Sequence, residues 1–195
     1  MNSIIRDVAI DRRISADDFR HAMRRLTGGI SVITAGEGRN ISGMTVTSVT
    51  SLSVDPPTLI VCVNREASSW PLVKRYGFFG VNILTADQTD IAERFSGKGG
   101  LKGADRFIGA PWTTGVSGVP LLADALAAID CEVEEVVERH SHAIIIGRVL
   151  DVTVSPRTAA LAYWQGQYVA IDRDEDALRL AEVGVPASQV SRRSR

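Results

Sequence analysis

The chain has 195 residues, 45% of them hydrophobic and 23% charged, with a formal net charge of -1 at pH 7. These values describe one globular domain with short tails and exclude a strong overall pull toward nucleic acid or anionic lipid. No run of about 18 apolar residues occurs, so no membrane-spanning helix is expected, and the charged start MNSIIRDVAIDRR lacks the apolar centre of a signal peptide.

Residues 1–14 read as a loose arm. Ser15 opens S-A-D-D, a capping-box-like start with Asp18 three residues on, and Phe19, Ala22, Met23 and Leu26 follow at helical spacing. An amphipathic helix of about three turns is expected, stopped by Gly28 and Gly29. ISVITA (30–35) is a β-branched strand and GEGRN (36–40) a turn. ISGMTVTSVTSLSV (41–54) continues as a hairpin and then a second extended piece. Pro56 and Pro57 break the chain. TLIVCVN (58–64) is almost continuously apolar, the pattern of a strand buried on both faces.

NREASS (64–69) is a polar loop, residues 70–76 suit a short helix with Pro71 at its first position, and FFGVNIL (78–84) is a strand. A helix is expected over 87–95, then the loop SGKGGLKG (96–103), a kind of segment that frequently carries function. Residues 105–107 and the Trp112 region read as irregular. Residues 128–138 alternate as a strand, with Ile129, Cys131, Val133 and Val136 inward. Residues 139–142 form a turn, and AIIIGRVLDVTV (143–154) returns antiparallel. An aromatic-rich segment covers 158–168, YVAID (168–172) is a last strand, and 174–195 reads as a short helix or a disordered tail. Strands outnumber helices by roughly two to one and follow in hairpin order, which predicts a mainly β protein with α: an antiparallel barrel with a few covering helices.

The common short motifs are missing. Gly36-Glu37-Gly38 lies between two strands with no helix after it, so it reads as a hairpin turn rather than a dinucleotide fingerprint. There is no Walker A, HExxH or GxSxG element, and His21, His140 and His142 have no paired cysteines to make a zinc site. Cys62 and Cys131 lie in apolar strand-like runs and read as reduced thiols acting as small hydrophobes, which suits a cytoplasmic protein.

The most informative segment is GMTVTSVTSLSVDPP (43–57), with hydroxyls at Thr45, Thr47, Ser48, Thr50, Ser51 and Ser53 beside small apolar residues. On a half-exposed strand, such hydroxyls and the adjacent amides can bind a flat polar ring edge and a phosphate. Gly43 would let the backbone approach a ligand closely. The same residues could equally decorate the solvent face of a strand.

The ordered set G-M-T-x-x-S-x-x-S-x-S-x-x-P-P, a strand ending in Asn64, Ser68 and Ser69 in the next turn, then F-x-V-N-x-L (79–84) resembles the flavin reductase-like domain family. The similarity runs on through Ala92, Phe95, Asp105-Arg106-Phe107, Trp112, Gly118-Val119-Pro120, Cys131 and AIIIGRV, and ends near YWQGQY, covering about residues 15–172. The resemblance implies a split β-barrel of the FMN-binding type, an antiparallel Greek-key barrel that forms homodimers. It implies an NAD(P)H:flavin oxidoreductase that passes hydride to non-covalently held FMN or FAD and supplies reduced flavin to a separate flavin-dependent monooxygenase. A flavin-binding carrier without reductase activity, or a split-barrel oxidase acting directly on a small substrate, are the alternatives.

By the same resemblance, Met44, Thr45, Val46, Thr47 and Ser48 would line the isoalloxazine, and Ser51, Leu52 and Ser53 would lie near the ribityl chain and phosphate. Asn64, Arg65, Ser68 and Ser69 would form a second phosphate wall, though Arg65 could also be a solvated loop residue. Phe95 and the loop after it would sit over the flavin, with Lys98 and Lys102 drawing in nicotinamide dinucleotide phosphates. Arg106 and Phe107 would lie near the flavin. His142 matches the histidine of a Gly-Asp-His hairpin frequent in the family and would dock the nicotinamide. Here the preceding residue is Ser141, which puts a carboxylate partner for the ring in doubt.

Overall fold

The computed structural model describes residues 14–172. The expected arm (1–13 of it) and tail (173–195) lie outside the described residues. Helix α1 (Ala16–Met23) begins as its cap predicts: the Ser15 hydroxyl accepts a hydrogen bond from the Asp18 N–H at 3.0 Å. It is shorter than expected. Arg25 and Leu26 already bond three residues back, to Ala22 and Met23, so the helix tightens and ends before the glycine pair. Gly28 and Gly29 form strand β1 (Gly28–Gly29) instead, paired with Tyr163 and Ala162.

Strands β2 (Ser31–Glu37), β3 (Asn40–Val46), β4 (Thr50–Val54) and β5 (Pro57–Asn64) are followed by α2 (Trp70–Tyr76), β6 (Phe78–Ile83) and α3 (Thr89–Phe95). A 3-10 turn (Gly103–Phe107) leads into β7 (Trp112–Thr114) and β8 (Pro120–Leu122), a small ribbon where an irregular stretch was expected. The long hairpin β9 (Ala127–Arg139) and β10 (His142–Val154) and the short one β11 (Ala160–Trp164) and β12 (Gln167–Ile171) complete the described chain.

Seven strands form one antiparallel sheet in the order β3-β2-β6-β9-β10-β5-β4. Its two edge strands, β3 and β4, are joined by only the three residues 47–49. So short a link can span the two edges only if the sheet curls round on itself, and the Greek-key barrel follows from that. The barrel interior is filled by Ile33, Leu59, Val61, Val63, Phe79, Val81, Cys131 and Ile145, with Trp70 and Val73 of α2 packed among them. A second core lies outside the barrel wall, where Val32, Ile91, Phe95, Phe107 and Leu122 meet.

This arrangement corrects two expectations. β2 is buried on both faces, with Val32 facing one core and Ile33 the other, both with no accessible surface. In β5 only Leu59, Val61 and Val63 face the interior, and Ile60, Cys62 and Asn64 are half-buried on the outer side. The second correction is Val136, which lies beyond a bulge at Glu134 and stays 38% exposed although its partner Ile145 is fully buried.

Polar groups knit the layers. Asn82 of β6 donates to the Val32 carbonyl at 3.0 Å and accepts from the Leu122 N–H at 2.7 Å. No helix of the described residues is long and apolar enough to cross a membrane. Gly43 lets an aromatic ring pack against β3: a Cβ there would lie 2.8 Å from the Phe95 ring. Gly43→Ala should therefore cost about 1–3 kcal/mol by overpacking. Thermal melts should show a fall of about 2–4 °C for each kcal/mol. Gly29→Ala, where the added carbon meets open space, should melt like the parent.

Candidate functional site

The link between the barrel's two edge strands is tied to β5 by a side chain. The Ser48 hydroxyl donates to the Cys62 carbonyl at 2.9 Å and accepts from the Cys62 N–H at 3.3 Å, standing in for a ladder rung. A cleft of about 480 Å³ opens at the seam between the two edges, within the usual size range of small-molecule sites. Met44, Thr45, Val46, Thr47 and Ser48 form one wall, and Cys62, Asn64 and His142 the opposite one. Asn64 and His142 are direct partners across β5 and β10, as are Cys62 and Ile144. Ser96, Ile30, Tyr163 and Tyr168 close the remaining side.

The hydroxyls of the best sequence segment mostly hold the walls. Thr45 donates to the Ala92 carbonyl of α3 at 2.6 Å, which fixes α3 against β3. Thr47 is exposed at the cleft. β3 is an edge strand, so main-chain groups along one side fall outside any ladder. Arg106 reaches this edge, donating to the Gly43 carbonyl at 2.7 Å, while its Nε donates to Leu101 at 2.8 Å and ties the 96–103 loop to β3. In that loop Gly97, Gly99, Gly100 and Gly103 all have positive φ, which explains its glycine content.

Among the described residues, the cleft carries no carboxylate, lysine or arginine on its lining. Burial raises the Tyr168 phenol above its usual range, with the Ser96 hydroxyl opposing, so Tyr168 presents an O–H at neutral pH. Tyr163 packs edge-on against it with ring centroids 5.6 Å apart. His142 is exposed at the end of β10, and its Nδ1 lies 2.9 Å from the Ser141 hydroxyl. Ser141 thus supplies a hydrogen-bonding partner to the ring where a carboxylate was in doubt. Cys131, by contrast, is buried in the barrel, where burial and then the Asp130 charge push its thiol up to about 12, so it stays protonated.

The other expected residues lie outside the lining. Ser51, Leu52 and Ser53 sit on β4, where Leu52 is the extra residue of a bulge and Ser53 donates to the Asp55 carbonyl at 3.0 Å. Arg65 turns to the tip of the β9–β10 hairpin, bonding the His140 carbonyl at 3.0 Å and Glu138 at 2.7 Å. It therefore braces the turn that carries His142. Ser68 pairs with Ser42 at 2.7 Å, and Ser69 is buried with no partner for its hydroxyl among the described residues. Phe95 and Phe107 stack with Trp112 beneath β3, and Lys98 is paired with Glu93 at 2.5 Å. Ile30, Cys62, Tyr163 and Tyr168 line the cleft without having been expected there, and Ser96 does so at the start of the loop expected over the flavin. The aromatic-rich stretch 158–168 was the one signal that pointed at two of them.

Comparison with known proteins agrees with this geometry. The model of the flavin reductase like domain matches residues 23–172. An FMN reductase (NADH), RutF, of Cronobacter turicensis is 37% identical over 155 residues, covering 80% of this chain and 92% of that protein. Its counterpart in Stutzerimonas stutzeri is 38% identical over 152 residues, covering 78% and 86%. Among solved structures, BorF, the flavin reductase component of a bacterial two-component tryptophan halogenase, superposes with a TM-score of 0.75 at 31% identity, covering 81% of this chain and 99% of that one. An NADH:FAD oxidoreductase of Streptomyces globisporus, solved with NAD and FAD fragments, gives 0.74 at 28% identity, covering 84% and 98%. With a barrel split at a cleft-bearing seam and a family match over most of its length, this chain belongs to the flavin reductase like domain family.

Proposed function

We propose that this protein is an NADH-dependent flavin reductase that reduces non-covalently held FMN and supplies it to a separate flavin-dependent monooxygenase or related oxygenase. The observation that carries the reading is the seam cleft: a strand edge on one side, hydroxyls and an amide around it, and, among the described residues, no carboxylate on its lining to repel the charge that builds on a reduced ring. These donors fit a flavin, whose flat ring has a hydrogen-bonding edge. When bound, the flavin supplies hydride acceptance from NADH and onward electron transfer.

The chain's own task is orientation. Met44 to Ser48 hold the ring edge through main-chain groups, with Ser48 and Thr45 keeping that strand in place. His142, braced through Ser141 and by Arg65 on the hairpin tip, docks the nicotinamide from the opposite wall. Hydride transfer needs no strong protein acid, only stacked rings with reacting atoms about 3–3.5 Å apart. FMN is favoured over FAD because the relatives from Cronobacter turicensis and Stutzerimonas stutzeri are FMN reductases. Use of NADH and two unpaired cysteines suit a cytoplasmic setting.

We infer further that the protein works as a homodimer. The outer face of β5 and β10 continues from the cleft as Ile60, Ile144 and Ile146, and β4 beside it exposes Leu52 and Val54, the latter at 89%. So much apolar strand beside a functional cleft fits a second copy, which would complete the cleft's outer wall.

Anaerobic stopped-flow mixing with NADH should bleach FMN absorbance in the presence of the protein. No bleaching with FMN or FAD would sink the reductase reading and favour a carrier. His142→Ala should lower kcat/KM for NADH about tenfold, a loss of about 1.4 kcal/mol of transition-state stabilisation. Light scattering should give about twice 21.0 kDa in solution, and a monomer mass would remove the dimer.

A further inference from the structure

A second cavity adjoins the first. It measures about 410 Å³ and lies between α1 and the small sheet, with Arg20, Arg24, Thr27 and Tyr163 among its walls. Thr47 and Tyr163 line both cavities, so the two meet edge to edge. Their chemistry differs. Among the described residues, the seam cleft has no arginine or lysine on its lining, whereas this one offers two guanidinium groups, two threonine hydroxyls and a phenol, and no carboxylate. Arg20 is paired with Asp17 one turn back on α1, and Arg24 has no ion-pair partner among the described residues. Met23 and Leu26 add apolar surface beside these donors. Nothing in the barrel's packing accounts for this grouping, since α1 buries none of its residues.

We propose that this cavity binds the adenosine diphosphate half of a dinucleotide whose redox ring sits in the seam cleft, an inference that rests on the reductase reading. A ring held between β3 and His142 must send its chain outward, and past Thr47 and Tyr163 the first cationic groups it meets are Arg20 and Arg24. Guanidinium groups bind phosphate oxygens in paired, charge-assisted hydrogen bonds, and the apolar wall and the Tyr163 ring take the adenosine. NADH and FAD both carry this half, whereas FMN and reduced nicotinamide mononucleotide lack it. The last turn of α1 and its C-cap thus become part of the binding machinery rather than a loose cover.

The test compares the full chain with its Arg20→Ala/Arg24→Ala variant, both residues being exposed at the end of α1 and outside either core. Calorimetry with ADP alone should detect binding to the parent and binding about tenfold weaker or worse in the variant. A lysine pair at the same positions should recover only part of it, since an ammonium restores the charge but not the paired hydrogen bonds. In steady state, a raised KM for NADH but not for reduced nicotinamide mononucleotide supports the cavity with NADH as the source. A raised KM for FAD but not for FMN supports it with FAD as the source. Equal ADP affinity in parent and variant, or no ADP binding by the parent, overturns the proposal. A parent that binds ADP in an arginine-dependent way yet oxidises no NADH with either flavin would sink the reductase reading and leave the cavity standing.

Discussion

Three residues, 47–49, join the two outermost strands of a seven-stranded sheet, and most of what this protein can do descends from that shortage of chain. A flat sheet would hold its edges several strand spacings apart, about 4.8 Å for each step between neighbours. The link forces the sheet to curl until β3 and β4 are nearly adjacent. It does not force them to pair. Where a ladder would have run, one hydroxyl of Ser48 bridges to both main-chain groups of Cys62, and beside it the wall parts. The cleft is therefore a by-product of closing the barrel, placed where main-chain donors along β3 lie outside the ladders.

That origin explains how a chain so poor in catalytic motifs fits oxidoreductase chemistry. The reacting groups belong to the cofactor and the nicotinamide, and the protein has to hold two flat rings against each other in a neutral, donor-rich slot. The polar side chains that hold the slot are themselves held. Thr45 is anchored to α3, Arg65 to the hairpin tip, Arg106 to Gly43, and His142 is steadied by its neighbour Ser141. Charge is kept off the cleft's lining and placed next door, on α1.

Much of the fold was legible in the sequence because strand and turn signals are local. β-branched runs marked β2, β5, β6 and β10, and Ser15 marked the start of α1. What was not legible depends on neighbours far along the chain. The apolar run of β5 looks buried on both sides, yet its outer face has no covering layer among the described residues, whereas β2 is covered twice because α3 and the 3-10 turn pack over it. Gly28 and Gly29 end a helix by local rules but are claimed as a strand by β11. In the site, residue types alone could not say whether a hydroxyl faces ligand or wall, and Thr45 and Ser48 do their bonding within the protein. Phe95 and Phe107 are in the right region but lie under β3, because the missing side chain of Gly43 lets an aromatic ring in from below. Tyr163 and Tyr168 reach the cleft from a hairpin more than a hundred residues away from β3, a proximity no spacing rule encodes.

The most direct measurement is a crystal structure of the protein grown with FMN. The ring edge should run along the main chain of Met44 to Ser48, facing Asn64 and His142, with a neighbouring copy closing the slot from outside. A flavin seated elsewhere on the barrel, or a seam that excludes FMN at saturating concentration, would contradict the account.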